Sequence, residues 1–372
     1  MSKKKSVGKS DTRSLAAPPQ QLAKALDKID RELVRLLNEH ARTIQRLGKS
    51  PEHPPGTIAE SIAAAHRLDK LMETNRGPLG VSALRMIFRD LESCSRALIH
   101  TVRVVYLGPK YSYSYQAAVD RFGEAAELAP VATISAVFEE LNRKQADFGV
   151  VPLENSTDGR VADTLTMFAK LPARICGEVQ LRIRHNLLAK CPRDQIQEVY
   201  SKTQALSQCR DWISKHLPWA RTVEMTSTAA AAQVATSKTG AAAVASLAAA
   251  AAYGLDILAT DIEDNKNNVT RFAIIGGEQP GRTGQDKTAL MFEIPHRPGS
   301  LADVMAVFKR GRLNLTWIES FPLRDAPSEY LFFVELEGHQ ADAKVRKALE
   351  ALRRRTARLE VLGSYAKASA AE

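Results

Sequence analysis

The sequence predicts a multidomain chain: an all-α helical N-terminal unit, a two-lobed α/β unit, and a smaller α+β unit of ferredoxin-like order. Three observations carry this prediction. At 372 residues the chain is too long for one core and suits about two or three domains. The hydrophobic period switches at Thr101 from helical spacing to alternating strands and helices. Beyond a polar linker, Gln279-Pro-Gly-Arg-Thr-Gly, the runs follow the order βαββαβ. The expected boundaries are a disordered basic tail at 1–19 and units at 20–100, 102–278 and 286–367.

Each element has a local reason. Leu22, Leu26, Ile29, Leu33, Leu36 and Leu37 recur at three- and four-residue spacing and extend to Ile44 and Leu47. Gly48, Pro51, Pro54 and Pro55 stop that helix. A second helix is expected from about Thr57 to Asn75 and a third from about Gly80 to Ile99. Three helices with little else need a partner to bury their apolar stripes.

In the middle block, strands are expected at Val102–Leu107, at Phe148-Gly-Val-Val-Pro, from Cys176 to Ile183 and at Glu198-Val-Tyr. Helices are expected after Thr164, at Gln204–Leu217 and at Ala229–Ala235. This alternation predicts a parallel sheet in two lobes with a cleft between them. In the last block, strands at Thr288–Ile294, Leu313–Phe321, Glu329–Leu336 and Arg358–Tyr365 frame helices at Ser300–Arg310 and Ala341–Arg354.

Composition excludes several classes. Apolar residues are 44% and charged residues 25%, ordinary for a globular chain, so global disorder, a collagen repeat and a disulfide miniprotein are out. Cys94, Cys176, Cys191 and Cys209 form no CxxC pair, so reduced thiols in a cytoplasmic protein are expected, with no metal site. The net charge of +10 collects at the ends, in Lys3, Lys4, Lys5, Lys9 and Arg13 and in Arg353, Arg354, Arg355 and Arg358. No aromatic residues interleave these clusters, so no nucleic-acid partner is expected. The start has no apolar run of a signal peptide, and Ala241–Leu258 is too short and alanine-rich for a membrane span.

Several polar segments in the middle block exceed what folding requires. Val151-Pro-Leu-Glu-Asn-Ser-Thr-Asp-Gly follows a buried strand and offers Asn155, Ser156 and Thr157 either to a carboxylate ligand or to an Asx-turn. Ser201-Lys-Thr-Gln-Ala-Leu-Ser-Gln-Cys follows a strand and opens a helix, with Ser201 placed like an N-cap and Gln204 and Gln208 on one face. Asn267-Asn-Val-Thr-Arg-Phe sets Thr270 and Arg271 just ahead of Ala273-Ile-Ile.

In order and spacing these segments, with Tyr106-Leu-Gly-Pro-Lys-Tyr-Ser-Tyr-Ser-Tyr-Gln-Ala-Ala, resemble the prephenate dehydratase family across Val102–Gly277. The resemblance implies a periplasmic-binding-protein-like fold and loss of water and carbon dioxide from prephenate to give phenylpyruvate. Decarboxylation supplies electrons and aromatisation the driving force, so a donor to the departing hydroxide is the main requirement. The family's donor role falls on Thr270. Substrate contacts are expected from Asn155, Ser156, Thr157, Ser201, Gln204 and Gln208, with Arg271 balancing substrate charge. No metal, nucleotide or flavin is expected. Three positions depart from the family: its first-loop glycine is Tyr111, its next histidine is Tyr115, and Ser-His-Pro-Gln becomes Ser201-Lys202-Thr203-Gln204. Whether arogenate replaces prephenate stays open.

Residues 20–100 resemble the all-helical chorismate mutase domain, through Ile29-Asp30, Leu36-Leu37-Asn38-Glu39, Gly48-Lys49 and Asn75-Arg76-Gly77-Pro78-Leu79. That reaction rearranges a dianion and needs cations. Alignment on Asp30, Gly48 and Gly77 puts Ala23, His40, Pro51, Ala63-Ala64 and Ile99 at the polar positions, with a serine kept at Ser95. His40 reads as a satisfied core histidine. The expectation is a domain without mutase activity, serving dimerisation or docking.

The C-terminal block resembles an ACT regulatory domain through Arg297-Pro-Gly-Ser-Leu, Asn314-Leu and Glu319-Ser-Phe-Pro, where phenylalanine replaces the usual arginine. The resemblance implies L-phenylalanine as effector, held by Gly299, Ser300, Leu301, Asn314, Glu319 and Ser320 in a homodimer or homotetramer. Two other readings remain: a bifunctional enzyme with a live mutase, and a non-catalytic amino-acid sensor.

Overall fold

The computed structural model describes residues 18–49, 68, 70–277, 279–323 and 326–368, with side chains omitted at 322–329. Expectations for the tail at 1–17, for Pro51 and for Ala63-Ala64 lie outside the described residues. The first helix, α1 (Pro19–Leu47), packs against α2 (Val81–Ala97). Between them, residues 70–73 are helical. The apolar stripe, expected to need a partner for its burial, is open in the single chain: Leu22, Leu26, Ile29, Leu33 and Leu36 are each about half exposed. His40 departs from the expected satisfied histidine, because it is half-buried and its Nδ1 lacks a hydrogen-bond partner.

Two sheets form the middle block. The first contains β1 (Arg103–Leu107), β2 (Glu127–Val131), β3 (Phe148–Asn155), β4 (Gly159–Arg160), β5 (Arg174–Arg182) and β11 (Val269–Gly276) in the order β2-β1-β3-β11-β5, with β4 hairpinned onto β3. The second contains β6 (Asn186–Ala189), β7 (Glu198–Lys202), β8 (Arg221–Met225), β9 (Ala241–Ala245) and β10 (Asp256–Ala259) in the order β10-β6-β9-β7-β8. Both sheets are mixed, which corrects the parallel expectation: β11 runs antiparallel to β3 and β5, and β6 antiparallel to β9 and β10. The chain crosses between the sheets once after β5 and returns before β11. That return forces the reversed direction of β11.

The helix expected at Gln204–Leu217 is two: α6 (Thr203–Gln208) and α7 (Arg210–His216), broken at Cys209. Helices α3 (Tyr113–Phe122), α4 (Ile134–Asn142), α5 (Ala162–Lys170), α8 (Thr228–Ser237) and α9 (Leu247–Tyr253) cover the sheets.

The last unit has the expected βαββαβ order: β12 (Asp286–Glu293), α10 (Ser300–Gly311), β13 (Leu315–Leu323), β14 (Ala326–Glu337), α11 (Ala343–Arg353) and β15 (Arg358–Ala366). Its sheet is antiparallel throughout, ordered β13-β14-β12-β15. This sheet is buried on both faces. Leu290, Phe292 and Val334 pack under α10 and α11. Ala289, Met291, Leu331 and Phe333 share a core with Phe168, Ile175, Ala273 and Ile275 of the first lobe. Such double burial gives β12 its near-continuous apolar run.

Candidate active site

The site lies where the chain crosses between lobes, and strand geometry places its parts. Along β11, Phe272 and Ile274 enter one core while Ala273 and Ile275 enter the core shared with the C-terminal unit. Period-two alternation therefore turns Thr270 and Arg271 to opposite faces. Opposite them, β3 is irregular: Arg271 pairs with Glu154 but Phe272 pairs with Pro152, so one extra residue bulges at Leu153–Glu154. The bulge brings Glu154 onto the face of Arg271 and Asn155 onto the face of Thr270.

Asn155 Nδ2 donates to Thr270 Oγ1 at 2.7 Å and to Asn268 Oδ1 at 2.8 Å. Its Oδ1 accepts from the backbone N–H groups of Thr157 and Asp158 at 2.9 and 3.0 Å. The Asx-turn and the ligand-loop readings thus describe opposite ends of one amide. Asn268 Nδ2 donates to Gln208 Oε1 at 2.9 Å, and Gln208 Nε2 donates to Asp158 Oδ2 at 3.0 Å. Gln208 comes from the second lobe and Asp158 from the first, so this amide ties the two together.

His185, on the outgoing crossing, sits behind Gln208 with Nε2 2.9 Å from Oε1. That oxygen can only accept, so Nε2 carries the proton. Burial pushes the imidazole pKa down, leaving the ring neutral. The backbone N–H of His185 donates to Glu263, which also pairs with Arg184 at 2.8 Å. Tyr113 of the first lobe donates to the Arg184 carbonyl at 2.6 Å.

Of the expected residues, Thr270, Asn155 and Gln208 meet in this network. Ser201 does not: its hydroxyl donates to the Val244 carbonyl at 2.6 Å, fully buried, and Lys202 holds the N-cap position instead. Ser156 ties the loop to β11, donating to the Asn267 carbonyl and accepting from the Val269 N–H. Thr157 and Gln204 are exposed. Arg271 is a clear correction: its guanidinium faces away from Thr270 and is held by Glu154 at 2.9 Å, Glu178 at 2.7 Å and Glu335 at 2.8 Å. Those carboxylates, not substrate, balance its charge.

Asn268, Asp158, His185 and Tyr113 complete the network without having been singled out. Asn268 and Asp158 stood inside quoted motifs, and Tyr113 inside the first loop. His185 had no sequence signal beyond following a strand end. The departure at Tyr111 has a local explanation. The position needs a left-handed backbone, φ +67°, which glycine adopts freely and tyrosine at a cost. Edge-on packing of the Tyr111 ring on Tyr115 of the first lobe and Tyr253 of the second offsets that cost.

A cavity of about 520 Å³ opens in the C-terminal unit beside Pro295, Arg297, Gly299, Ser300 and Leu301. Gly299 adopts φ +86°, and Ser300 Oγ is buried without a partner. Asn314, Glu319 and Ser320 are not among its lining residues. Arg160 instead reaches Glu319 at 2.6 Å and the Ser320 carbonyl at 3.0 Å.

Comparisons with known proteins identify the family. Residues 104–280 match the prephenate dehydratase family. A bifunctional chorismate mutase/prephenate dehydratase of Aquifex aeolicus is 41% identical over 94% of this chain and 98% of its own. A crystal structure of prephenate dehydratase with L-Phe from Arthrobacter aurescens is 34% identical and covers 72% of this chain and 90% of its own, with TM-score 0.67. A structure described as GqqA, a quorum quenching acylase, is 26% identical and covers 71% of this chain and 98% of its own, with TM-score 0.66. Since one fold carries two activities, the fold by itself does not choose the reaction; sequence identity along the whole chain does, and the chain belongs to the prephenate dehydratase family.

Proposed function

We infer that the chain is a prephenate dehydratase, converting prephenate to phenylpyruvate, carbon dioxide and water in phenylalanine biosynthesis. The observation that carries the reading is the Asn155–Thr270 hydrogen bond. Because Asn155 Nδ2 is a donor, Thr270 Oγ1 must accept, and its own proton is left to donate. The C–C bond to the ring carboxylate breaks and its electrons enter the ring. The C–O bond on the opposite ring carbon breaks with aromatisation, and the departing hydroxide takes up a proton from solvent to leave as water. A threonine hydroxyl is a weak acid, so its contribution is a preorganised hydrogen bond to the oxygen that gains charge.

The test supplies chorismate and prephenate separately to purified protein and follows phenylpyruvate. Formation from prephenate is expected; a folded protein that yields none would refute the reading. Formation from chorismate would support the bifunctional reading that the Aquifex aeolicus relative's name carries. The loss of cations at Ala23 and His40 favours a mutase-inactive helical unit whose open α1 stripe a second copy covers. L-Phenylalanine is the effector we infer for the C-terminal cavity, with Gly299 allowing close approach and Ser300 Oγ free to bond a polar group. Unchanged turnover and melting temperature at saturating phenylalanine would remove that assignment.

A further inference from the structure

The C-terminal unit contributes charged groups to the back of the dehydration site. Lys287 and Glu335 lie in phase with Ala289, Met291 and Phe333, on the sheet face turned toward the first lobe. Glu335 accepts from Arg271 Nη2 at 2.8 Å and from the Tyr365 hydroxyl at 2.8 Å, and its side chain is fully buried. Lys287 donates to Glu178 at 2.9 Å, and Glu178 also accepts from the Ala368 N–H at 3.0 Å. Arg271 further sits over the Trp317 ring, 5.6 Å from its centroid. Burial opposes the guanidinium charge, but Glu335 and Glu178 outweigh it and raise the Arg271 pKa. A charge held this way does not move without breaking several charge-assisted bonds at once.

This pin sits one residue from Thr270. Ahead of Thr270 the chain emerges from an exposed stretch at 264–267, and the strand begins only at Val269. On its preceding side Thr270 is held by the buried Asn268 in the amide network and by the bonds between Val269 and Ser156; on its following side it is held through Arg271, the side that the C-terminal unit reaches. A shift of about 1 Å in that backbone would stretch the 2.7 Å Asn155–Thr270 bond beyond useful length.

We propose that Arg271 is a positioning residue for Thr270, and that Glu335, contributed by the C-terminal unit, holds it in register. The proposal rests on Thr270 being the donor to the departing hydroxide. It makes the C-terminal unit part of the catalytic framework even with its own cavity empty.

The test is Glu335→Gln, which keeps shape and the Oε1 acceptor but sets an amide N–H₂ against Arg271. We expect kcat on prephenate to fall about 10- to 100-fold, with KM within about twofold of the unmodified enzyme. A lower melting temperature with kcat per folded molecule unchanged would mark Glu335 as merely structural and overturn the proposal. If Glu335→Gln does not fold, Arg271→Lys is read by the same two measures, since it keeps the charge and loses the fork. In a Thr270→Ala background, Glu335→Gln is expected to change the residual rate by less than about twofold; an undiminished loss there would overturn the proposal. If Thr270→Ala alone keeps full turnover, the donor reading itself has failed. If it abolishes turnover while Glu335→Gln leaves kcat intact, only the positioning role has failed.

Discussion

Asn155 Nδ2 lies 2.7 Å from Thr270 Oγ1, and the nitrogen's role as donor dictates the direction of the threonine proton. Replacing Asn155 with Asp reverses that direction. A carboxylate accepts only, so it would take the Thr270 proton for itself and repel the substrate's carboxylates. Asn155→Asp is expected to lower kcat/KM about 100-fold or more, comparable to losing one oxyanion donor. Steady-state assay on prephenate reads this directly, and a rate near the unmodified value would contradict the assigned direction.

Thr270→Ala removes the donor while changing little volume. A kcat loss of about 10²- to 10³-fold is expected with KM almost unchanged, because the bond strengthens as charge leaves with the hydroxide. Circular dichroism and thermal melting should show a folded protein.

Gln208 joins the lobes through both ends of its amide, to Asn268 and His185 on one side and Asp158 on the other. Gln208→Leu keeps bulk and leaves His185 Nε2–H and Asn268 Nδ2 without their acceptor. Each stranded buried donor costs about 1–3 kcal/mol. Chemical denaturation should show that loss, and KM should rise as the lobes lose their link.

The buried His185 gives the fold a pH dependence of fixed sign. Its folded pKa lies below the ordinary value of 6.5, so the unfolded chain binds more protons as pH falls through that range. Stability from the neutral ring is complete above about pH 6.5 and is lost as pH drops through the lowered folded value. Denaturation between about pH 5 and 6.5 should show stability rising with pH. His185→Gln, which still donates toward Gln208, should flatten that slope.

Gly363 of β15 brings the backbone of the C-terminal unit against Ile175 of β5 in the first lobe. A Cβ there would fall 1.9 Å from the Ile175 carbonyl oxygen, a backbone atom that cannot swing aside. Gly363→Ala is expected to cost at least about 2 kcal/mol by overpacking. Differential scanning calorimetry would register the loss as a lower melting temperature.

Most element positions were legible because their period is local. Helical spacing from Leu22 to Leu47 marked α1, and alternating runs marked β1, β3, β11 and the C-terminal strands. Sheet direction was not legible, since β11 returns from the second lobe and its orientation depends on a crossing more than 80 residues after β5. Ser201 read as an N-cap because a serine before a helix does so in general. Its actual acceptor, Val244, belongs to a different strand. Lys287, Glu335 and Arg271 fell in phase with apolar faces, a signal for buried pairing that only becomes decisive when the faces meet; Glu178 reaches the same face through the irregularity of β5 at Cys176.

The sequence by itself determined the motifs that carry Thr270, Asn155 and Gln208, the residues of the proposed site, in an order that marks the family. Tertiary structure decided which way those side chains point. A single extra residue at Leu153–Glu154 sends Asn155 toward Thr270 and Glu154 toward Arg271. Without it, the alternation would exchange the two. Side-chain direction in a strand follows register, register is a relation between strands distant in sequence, and so the donor and its support were settled by pairing, not by local pattern.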